Sequence, residues 1–167
     1  ADHQATILFS GSAHSAARAA ADELLTQFGV SAELWSATSY KTLREEAIEV
    51  ERWNRLHPTE TPRIPRVTQL LGGSNDPIIA VTDFVRAVPE QINRFVGNRT
   101  FTPLGTDGMG RSDTREALRS HFEVDMPHIV IAVLHDLAKA GSISKSVVTE
   151  AIARYGVTTE TLGALYA

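Results

Sequence analysis

FTPLGTDGMGRSDTREALRSH, residues 101–121, is the stretch that decides the fold. Its apolar start, Phe101–Leu104, is typical of a short buried strand. Three glycines follow within six residues, and they allow a sharp turn because they carry no Cβ atom. From Asp113 onward, apolar side chains recur at helical spacing, at Ala117, Leu118 and Phe122. The pattern predicts a strand, a glycine turn and a helix, which is the repeating unit of α/β proteins.

The glycine turn is a candidate interface or anion-binding site. Ser112 or Asp113 can cap the helix, and Asp113 with Glu116 has the spacing of a capping box. Such a turn gathers backbone N–H groups at the positive end of a helix, where negative charge is favoured. The candidate residues of this turn are Asp107, Gly108, Gly110, Arg111 and Ser112.

The first third of the chain repeats the same unit. Residues 5–9 predict a buried strand, Ser12 a helix cap, and Gly29 the end of a helix whose small apolar face is rich in alanine. Residues 31–37 predict a second strand and residues 42–53 a second helix. Since strands joined through helices run parallel, we expect a three-layer α/β/α domain with a mostly parallel sheet of about five strands.

Two carboxylates follow predicted strands and are expected at one edge of the sheet. Residues 78–81 predict a third strand, which Asp83 follows, and Asp107 follows the strand that ends at Leu104. A pair of carboxylates can perform acid–base chemistry or bind a metal. We expect instead that each caps the helix that comes after it, the more common role.

The remaining helices are predicted from apolar spacing and caps. A helix is predicted within residues 84–96, and its first turn is expected near Pro89. Residues 129–134 are predicted to belong to a buried helix that Asp125 caps and Gly141 ends. Ser144 caps the last helix, Lys145–Tyr155. Residues 158–167 are expected to be a tail, either packed on a neighbour or loosely ordered. All 167 residues are expected to form a single domain.

A proline-rich segment, residues 57–66, is predicted to be an extended loop because it holds three prolines. A solvated connector and a docking surface are both consistent with this composition. Arginine is favoured in interfaces, and several basic residues lie on or next to the loop. The candidate docking residues are Arg52, Arg55, His57, Arg63 and Arg66.

Composition excludes several classes of function. The net charge of −4 provides no basic surface for nucleic acid, and no apolar run reaches the length of a membrane span. The absence of cysteine is typical of a reducing compartment, so we expect a cytoplasmic protein. His128 and His135 stand seven residues apart, too far for a pair of metal ligands on one helix. The sequence has neither a GxSxG motif nor a cysteine nucleophile.

Longer motifs carry a family resemblance. GTDGMGRSD with HFEVD (residues 105–113 and 121–125), WSATSYKTLREEAIEVERWNRLHPTETPRIP (residues 35–65) and IIAVTDFVRAVPEQINRFV (residues 78–96) resemble segments of the homodimeric bacterial pyruvate dehydrogenase component. They occur in the family's own order and cover nearly all of the chain. One position departs from the family pattern: Met109 stands where phenylalanine is usual, and we expect local repacking around its flexible side chain.

The resemblance implies a fold like the last domain of transketolases, at the end of a much longer enzyme. That enzyme uses thiamine diphosphate and magnesium to decarboxylate pyruvate, and it acetylates the lipoyl group of a dihydrolipoyl acyltransferase. Thr106 precedes Asp107 and Gly108 where the family's cofactor motif has another glycine, so no catalytic, cofactor or metal residue is expected in this chain.

The resemblance also implies the partners of the chain. They are the preceding catalytic domains, a second subunit of a homodimer and the acyltransferase, and the role of the chain would be architectural. The alternative is a free-standing α/β module that binds a small anion or nucleotide at the glycine turn.

Overall fold

The computed structural model describes residues 1–167 and contains one sheet of four parallel strands. In the order in which they lie across the sheet, the strands are β2 (Val30–Ser36), β1 (His3–Phe9), β3 (Ile78–Val81) and β4 (Phe101–Leu104). Thr6 lies opposite Ile78, which in turn lies opposite Phe101. The predicted α/β class and parallel sheet are confirmed, but the sheet has four strands instead of about five.

The two central strands are apolar because both faces of the sheet are covered. All four residues of β3 are buried, and in β1 Ile7 faces one core while Leu8 faces the other. Continuous apolar runs of this kind are typical of parallel sheets that lie between helices.

Seven helices surround the sheet. They are α1 (His14–Phe28), α2 (Tyr40–Leu56), α3 (Arg66–Leu71), α4 (Ala87–Glu90), α5 (Arg115–His121), α6 (Met126–Lys139) and α7 (Lys145–Tyr155). Helices α1, α6 and α7 contribute to the core on one face, and α2 and α3 to the core on the other. The three-layer arrangement predicted from the sequence is therefore confirmed. Residues 129–134 lie in α6, as predicted, and their continuous apolar character reflects burial between the sheet and the neighbouring helices.

The segment predicted as one helix over residues 84–96 is broken. Only α4 and a 3-10 turn, Asn93–Phe95, are helical there. The backbone N–H of Ile92 donates to the Pro89 carbonyl oxygen and that of Phe95 donates to Ile92, so the hydrogen bonds span three residues instead of four. This tighter winding places Ile92 and Phe95, three residues apart, in the same core.

The predicted caps of α5 and α1 are wrong. The N-cap of α5 is Thr114, whose hydroxyl accepts from the N–H of Ala117 at 3.3 Å, so the Asp113–Glu116 capping box does not form. Asp113 accepts instead from the N–H of Thr114, at 2.7 Å. Ser12 makes no side-chain cap, because a 3-10 turn at Gly11–Ala13 precedes α1. The caps at Asp125 and Ser144 and the helix end at Gly29 are confirmed.

A buried arginine joins three parts of the chain beneath the sheet. Arg99 donates from Nε to the carbonyl oxygen of Asp76 (2.6 Å), from Nη1 to that of Leu71 (2.9 Å) and from Nη2 to the hydroxyl of Thr6 (2.6 Å). Burial lowers the pKa of the Arg99 guanidinium, while the charge of Asp76 acts in the opposite direction. The guanidinium thus ties β1 to the end of α3 and to the loop before β3.

Candidate functional site

The carboxyl edge of the sheet between β1 and β3 is where α/β proteins bind ligands. The strand order β2-β1-β3-β4 means that the connection after β1 leads to one side and the connection after β3 to the other. The crevice between two such strands is the usual ligand site of an open parallel sheet.

In this protein Asp83 lines that crevice and contacts the start of the first helix. Its Oδ2 atom accepts from the backbone N–H of Ser12 at 3.0 Å. A methyl group placed on Gly11 would lie 1.9 Å from Asp83 Oδ1, so only glycine leaves room for the carboxylate. The hydroxyl of Ser10 donates to that of Thr82 at 2.8 Å and joins the two loops a second time. An internal carboxylate therefore takes the place beside the start of α1 that an anionic ligand would use.

Asp107 is likewise bound within the chain. Its Oδ2 atom accepts from the backbone N–H of Arg86 at 3.0 Å and lies 3.3 Å from Arg86 Nε. Asp83 and Asp107 do lie on the same rim, as predicted, and the Thr106 hydroxyl donates to the Asp83 carbonyl oxygen at 2.8 Å. Neither carboxylate caps the helix that follows it, because each contacts backbone distant in sequence.

The glycine turn is an open loop whose two ends are packed closely. A methyl group on Gly105 would lie 2.6 Å from the Phe84 carbonyl oxygen, and one on Gly108 would lie 2.1 Å from that of Ala164. Gly108 also has a positive φ of 104°. The buried Ala164 therefore anchors the carboxyl-terminal tail on the turn, so the tail packs on its own chain instead of being loosely ordered.

The structure does not support anion binding at this turn. Gly110, Arg111 and Ser112 are exposed and separated from the sheet, and α5 is only 7 residues long. Thr114 and Asp113 already accept from backbone N–H groups at its start. Of the five candidate residues, Asp107 contacts Arg86 and Gly108 contacts Ala164, whereas the other three are exposed.

The loops at this edge carry exposed apolar side chains that the sequence analysis missed. Residues 84–86 contact Gly105, and residues 164–165 contact Gly108, so three segments lie together. They carry the exposed residues Phe84, Val85, Met109, Leu165 and Tyr166, which we call the glycine-turn surface. Met109 is 79% exposed and fills no internal site in this chain. Of these residues only Phe84 and Val85 closely follow the end of a strand, so the sequence carried little signal for this surface.

The candidate docking loop is exposed but fixed in position. The side chain of Asn54 pairs with the backbone of Arg63 in both directions, since Nδ2 donates to the carbonyl oxygen (2.9 Å) and Oδ1 accepts from the N–H (2.8 Å). Gln69 donates to the Ile64 carbonyl oxygen at 2.8 Å, and Glu46 accepts from the N–H of Arg66 at 3.0 Å.

Aromatic contacts add to the order of this loop. The guanidinium of Arg63 lies 3.7 Å from the ring centre of Trp53, and the His57 ring stacks on Trp53 at 4.3 Å. All five basic candidate residues are exposed; of these, Arg52 forms an ion pair with Glu49. The loop thus presents a defined basic surface, with the exposed apolar side chains of Leu56 and Ile64 beside it.

The residues of this chain do not fit a thiamine diphosphate or magnesium site. No group of three or more histidine, cysteine, aspartate or glutamate side chains is arranged to hold a metal ion. The two carboxylates at the sheet edge are engaged by Ser12 and Arg86. None of the helices is both long and apolar enough to cross a membrane.

The fold and its sequence together define the family. Residues 1–125 match the model of the Transketolase-like TK C-terminal domain, and the chain belongs to this family. It is 44% identical over 160 residues to the pyruvate dehydrogenase E1 component of Pseudomonas aeruginosa, and these residues make up 96% of this chain and 18% of the relative.

Two further relatives have the same name. The E1 component of Escherichia coli K12 is 44% identical and that of Cupriavidus necator 48% identical, each over 151 residues that make up 90% of this chain and 17% of the relative. The chain therefore spans less than a fifth of the length of the curated relatives that it matches.

Proposed function

We propose that residues 1–167 are one domain, the carboxyl-terminal domain of a homodimeric pyruvate dehydrogenase E1 subunit in the cytoplasm. The observation that carries this proposal is the identity of 44% over 96% of the chain to an E1 component. The whole enzyme would decarboxylate pyruvate and acetylate the lipoyl group of a dihydrolipoyl acyltransferase partner.

The cofactors would lie outside this domain. Thiamine diphosphate supplies the carbanion chemistry when it is bound, and magnesium holds its diphosphate. Because the carboxylates at the sheet edge are already paired within the chain, we assign both cofactors to the preceding catalytic domains.

The role of this domain would be to hold those catalytic domains and the second subunit in place. The glycine-turn surface and the candidate docking loop both support that role, since each combines exposed apolar side chains with backbone that contacts other parts of the chain. Preordered loops lose little conformational entropy when they bind, which favours stable contacts.

The two ends of β1 lie near different neighbours, a preceding domain at one end and a second subunit at the other. A preceding domain would join the sheet at its amino edge, before His3, whereas the glycine-turn surface lies at the carboxyl edge. The seven residues of β1 span about 20 Å between these edges. This separation favours a contact between the glycine-turn surface and a second subunit.

The test compares the full-length subunit with its parts. With pyruvate, thiamine diphosphate and magnesium, release of carbon dioxide is expected from the full-length protein and not from the 167-residue chain. A subunit that lacks residues 1–167 should still bind thiamine diphosphate. Its dimer should be less stable and its turnover at least about tenfold lower, because a supporting interface is gone. Decarboxylation by the isolated chain, or full activity of the truncated subunit, would contradict the proposal.

A further inference from the structure

A cavity on the opposite face from α6 is not explained by the proposed function. It has a volume of about 430 Å³ and lies between the end of β2, the first turns of α2, and α3. Of its 13 lining residues, 9 are hydrophobic, among them Leu8, Leu43, Val67 and Leu70. Volume and lining are those of pockets that accept small molecules.

Two hydrogen-bond donors among the lining residues lack partners. The Nε1 atom of Trp35 and the hydroxyl of Tyr40 are both buried, and neither has a hydrogen-bond partner in the protein. Tyr40 as a whole is only 4% exposed. Burial raises the pKa of the Tyr40 hydroxyl, which therefore remains protonated and able to donate. Unpaired buried donors are costly, so an acceptor supplied from the cavity would be stabilising.

The lining also restricts the charge of an occupant. Apart from Tyr40, none of the lining residues is ionisable. A charged molecule would lose its hydration here without gaining a counter-charge, and the cost of that exchange is high.

We propose that this cavity binds a neutral, mostly apolar small molecule with a carbonyl-type oxygen, which accepts hydrogen bonds from Trp35 and Tyr40. Because both donor atoms have almost no exposed surface, binding requires side-chain movements that turn them toward the oxygen. The proposal does not depend on the function proposed above, because it rests only on the residues around the cavity.

Three small aromatic probes test the required chemistry. Acetophenone has a carbonyl acceptor, toluene has none, and benzoate carries a charge. Binding to the 167-residue chain is followed by NMR at the indole N–H signal of Trp35, which a Trp53→Phe variant identifies because the chain has 2 tryptophans. We expect saturable binding of acetophenone at millimolar concentration, binding of toluene about fivefold weaker or more, and no benzoate binding at about 10 mM.

Matched variants test the named residues. Tyr40→Phe should weaken acetophenone binding about five- to tenfold because one hydrogen bond is lost. Tyr155→Phe is the control, since the hydroxyl of Tyr155 donates to Glu23 at 2.9 Å and lies outside the cavity. Leu70→Trp adds bulk from a position that is 37% exposed, and it should abolish binding while the chain stays folded. This variant keeps the test decisive if Tyr40→Phe is unstable.

Several outcomes would overturn the proposal. These are no saturable shift of the Trp35 signal with acetophenone, equal affinity for toluene or benzoate, or unchanged affinity in Leu70→Trp. Equal losses in Tyr40→Phe and Tyr155→Phe would also overturn it, because the effect would then not arise in the cavity. Repeating the acetophenone titration with the full-length subunit tests whether a neighbouring domain fills the cavity; loss of binding there would overturn the proposal as well.

Discussion

Among single residues, Asp83 has the most unusual position, because its carboxylate serves a helix that lies 71 residues earlier in the chain. Carboxylates near the start of a helix stabilise it by accepting from free N–H groups and by opposing the helix dipole. Since Gly11 leaves space only for this carboxylate, removing it should open a small anion site beside Ser12.

We predict that Asp83→Ala lowers the free energy of unfolding by about 1 kcal/mol, as expected for a lost helix cap. Sulfate should restore part of this loss by binding in the vacated place. Urea unfolding with and without sulfate measures both effects. Glu46→Ala is the control, because Glu46 also accepts from a backbone N–H, that of Arg66, but lies on α2 and outside this crevice. Equal sulfate responses of the two variants would show that no specific site had opened.

Asp136 is a buried acid that links stability to pH. It is 5% exposed, and burial raises the pKa of its carboxyl from the ordinary value of 3.8, against the hydrogen bond from Thr102 and the charges of His135 and Lys139. A raised pKa in the folded state means that folding favours the protonated acid. Its contribution to stability is full below pH 3.8 and is lost as the pH rises through the higher, folded-state pKa.

We therefore predict that the unmodified protein gains stability relative to Asp136→Asn as the pH is lowered from 7 toward 4. The asparagine cannot titrate, so the difference between the two unfolding free energies should change across this range. Thermal or urea unfolding at a series of pH values measures it. A constant difference between the two proteins would contradict the assignment.

Among the polar residues predicted to cap helices, only those with partners nearby in sequence were predicted correctly. The caps at Asp125 and Ser144 could be read from the chain because their partners lie two or three residues away. The partners of Asp83 and Asp107 could not be predicted, since each lies more than 20 residues away in sequence. The cap of α5 was predicted one or two residues too early, because Ser112, Asp113 and Thr114 are all good caps and only the backbone geometry distinguishes them.

At the scale of elements, the loop between α2 and α3 differs from an ordinary connector. A solvated connector has few contacts, whereas this loop is bound by Asn54, Gln69 and Glu46. Such a network keeps exposed arginines in one arrangement, which lowers the entropic cost of binding a partner.

We predict that Asn54→Ala releases this loop without unfolding the domain. Two hydrogen bonds to Arg63 would be lost, at about 1 kcal/mol each or less for an exposed site. Hydrogen exchange of the amides in residues 57–65 should become faster, while the exchange of β1 and β3 stays unchanged. Asn98→Ala is the control, because Asn98 is exposed and outside this network. Unchanged exchange in Asn54→Ala would mean that the loop is held by other contacts.

Most helices and strands could be predicted because their apolar residues recur at regular spacing. Helices α1, α6 and α7 and the four strands follow directly from spacing and from glycine or proline positions. The segment from 84 to 96 could not be predicted, since its three-residue spacing fits both a short α-helix and a 3-10 turn. Packing against the sheet decided between them.

For the whole molecule, the glycine-turn surface is the largest feature that the sequence analysis missed. It joins three loops that are far apart in the chain, so no local pattern predicts it. The three layers were predictable because alternating strands and helices have few arrangements. The order of the strands, which creates this edge, required the structure.

We predict that Met109→Glu in the full-length subunit weakens the dimer about tenfold or more, because a charge would be buried in an apolar contact. Leu25→Glu is the matched control, since Leu25 is an exposed apolar residue on α1, away from the glycine turn. Analytical ultracentrifugation and turnover measure the effect. If both variants dimerise equally well, the glycine-turn surface does not contact the second subunit.

The packing of Ala164 on Gly108 has a practical consequence for handling the protein. Because residues 164 and 165 border the glycine turn, an affinity tag fused after Ala167 would project beside that surface and obstruct the contact that we propose there. A tag placed ahead of residue 1 in this chain would emerge about 20 Å away, at the other end of β1. Purification strategy alone could thus change the apparent oligomeric state of otherwise identical samples.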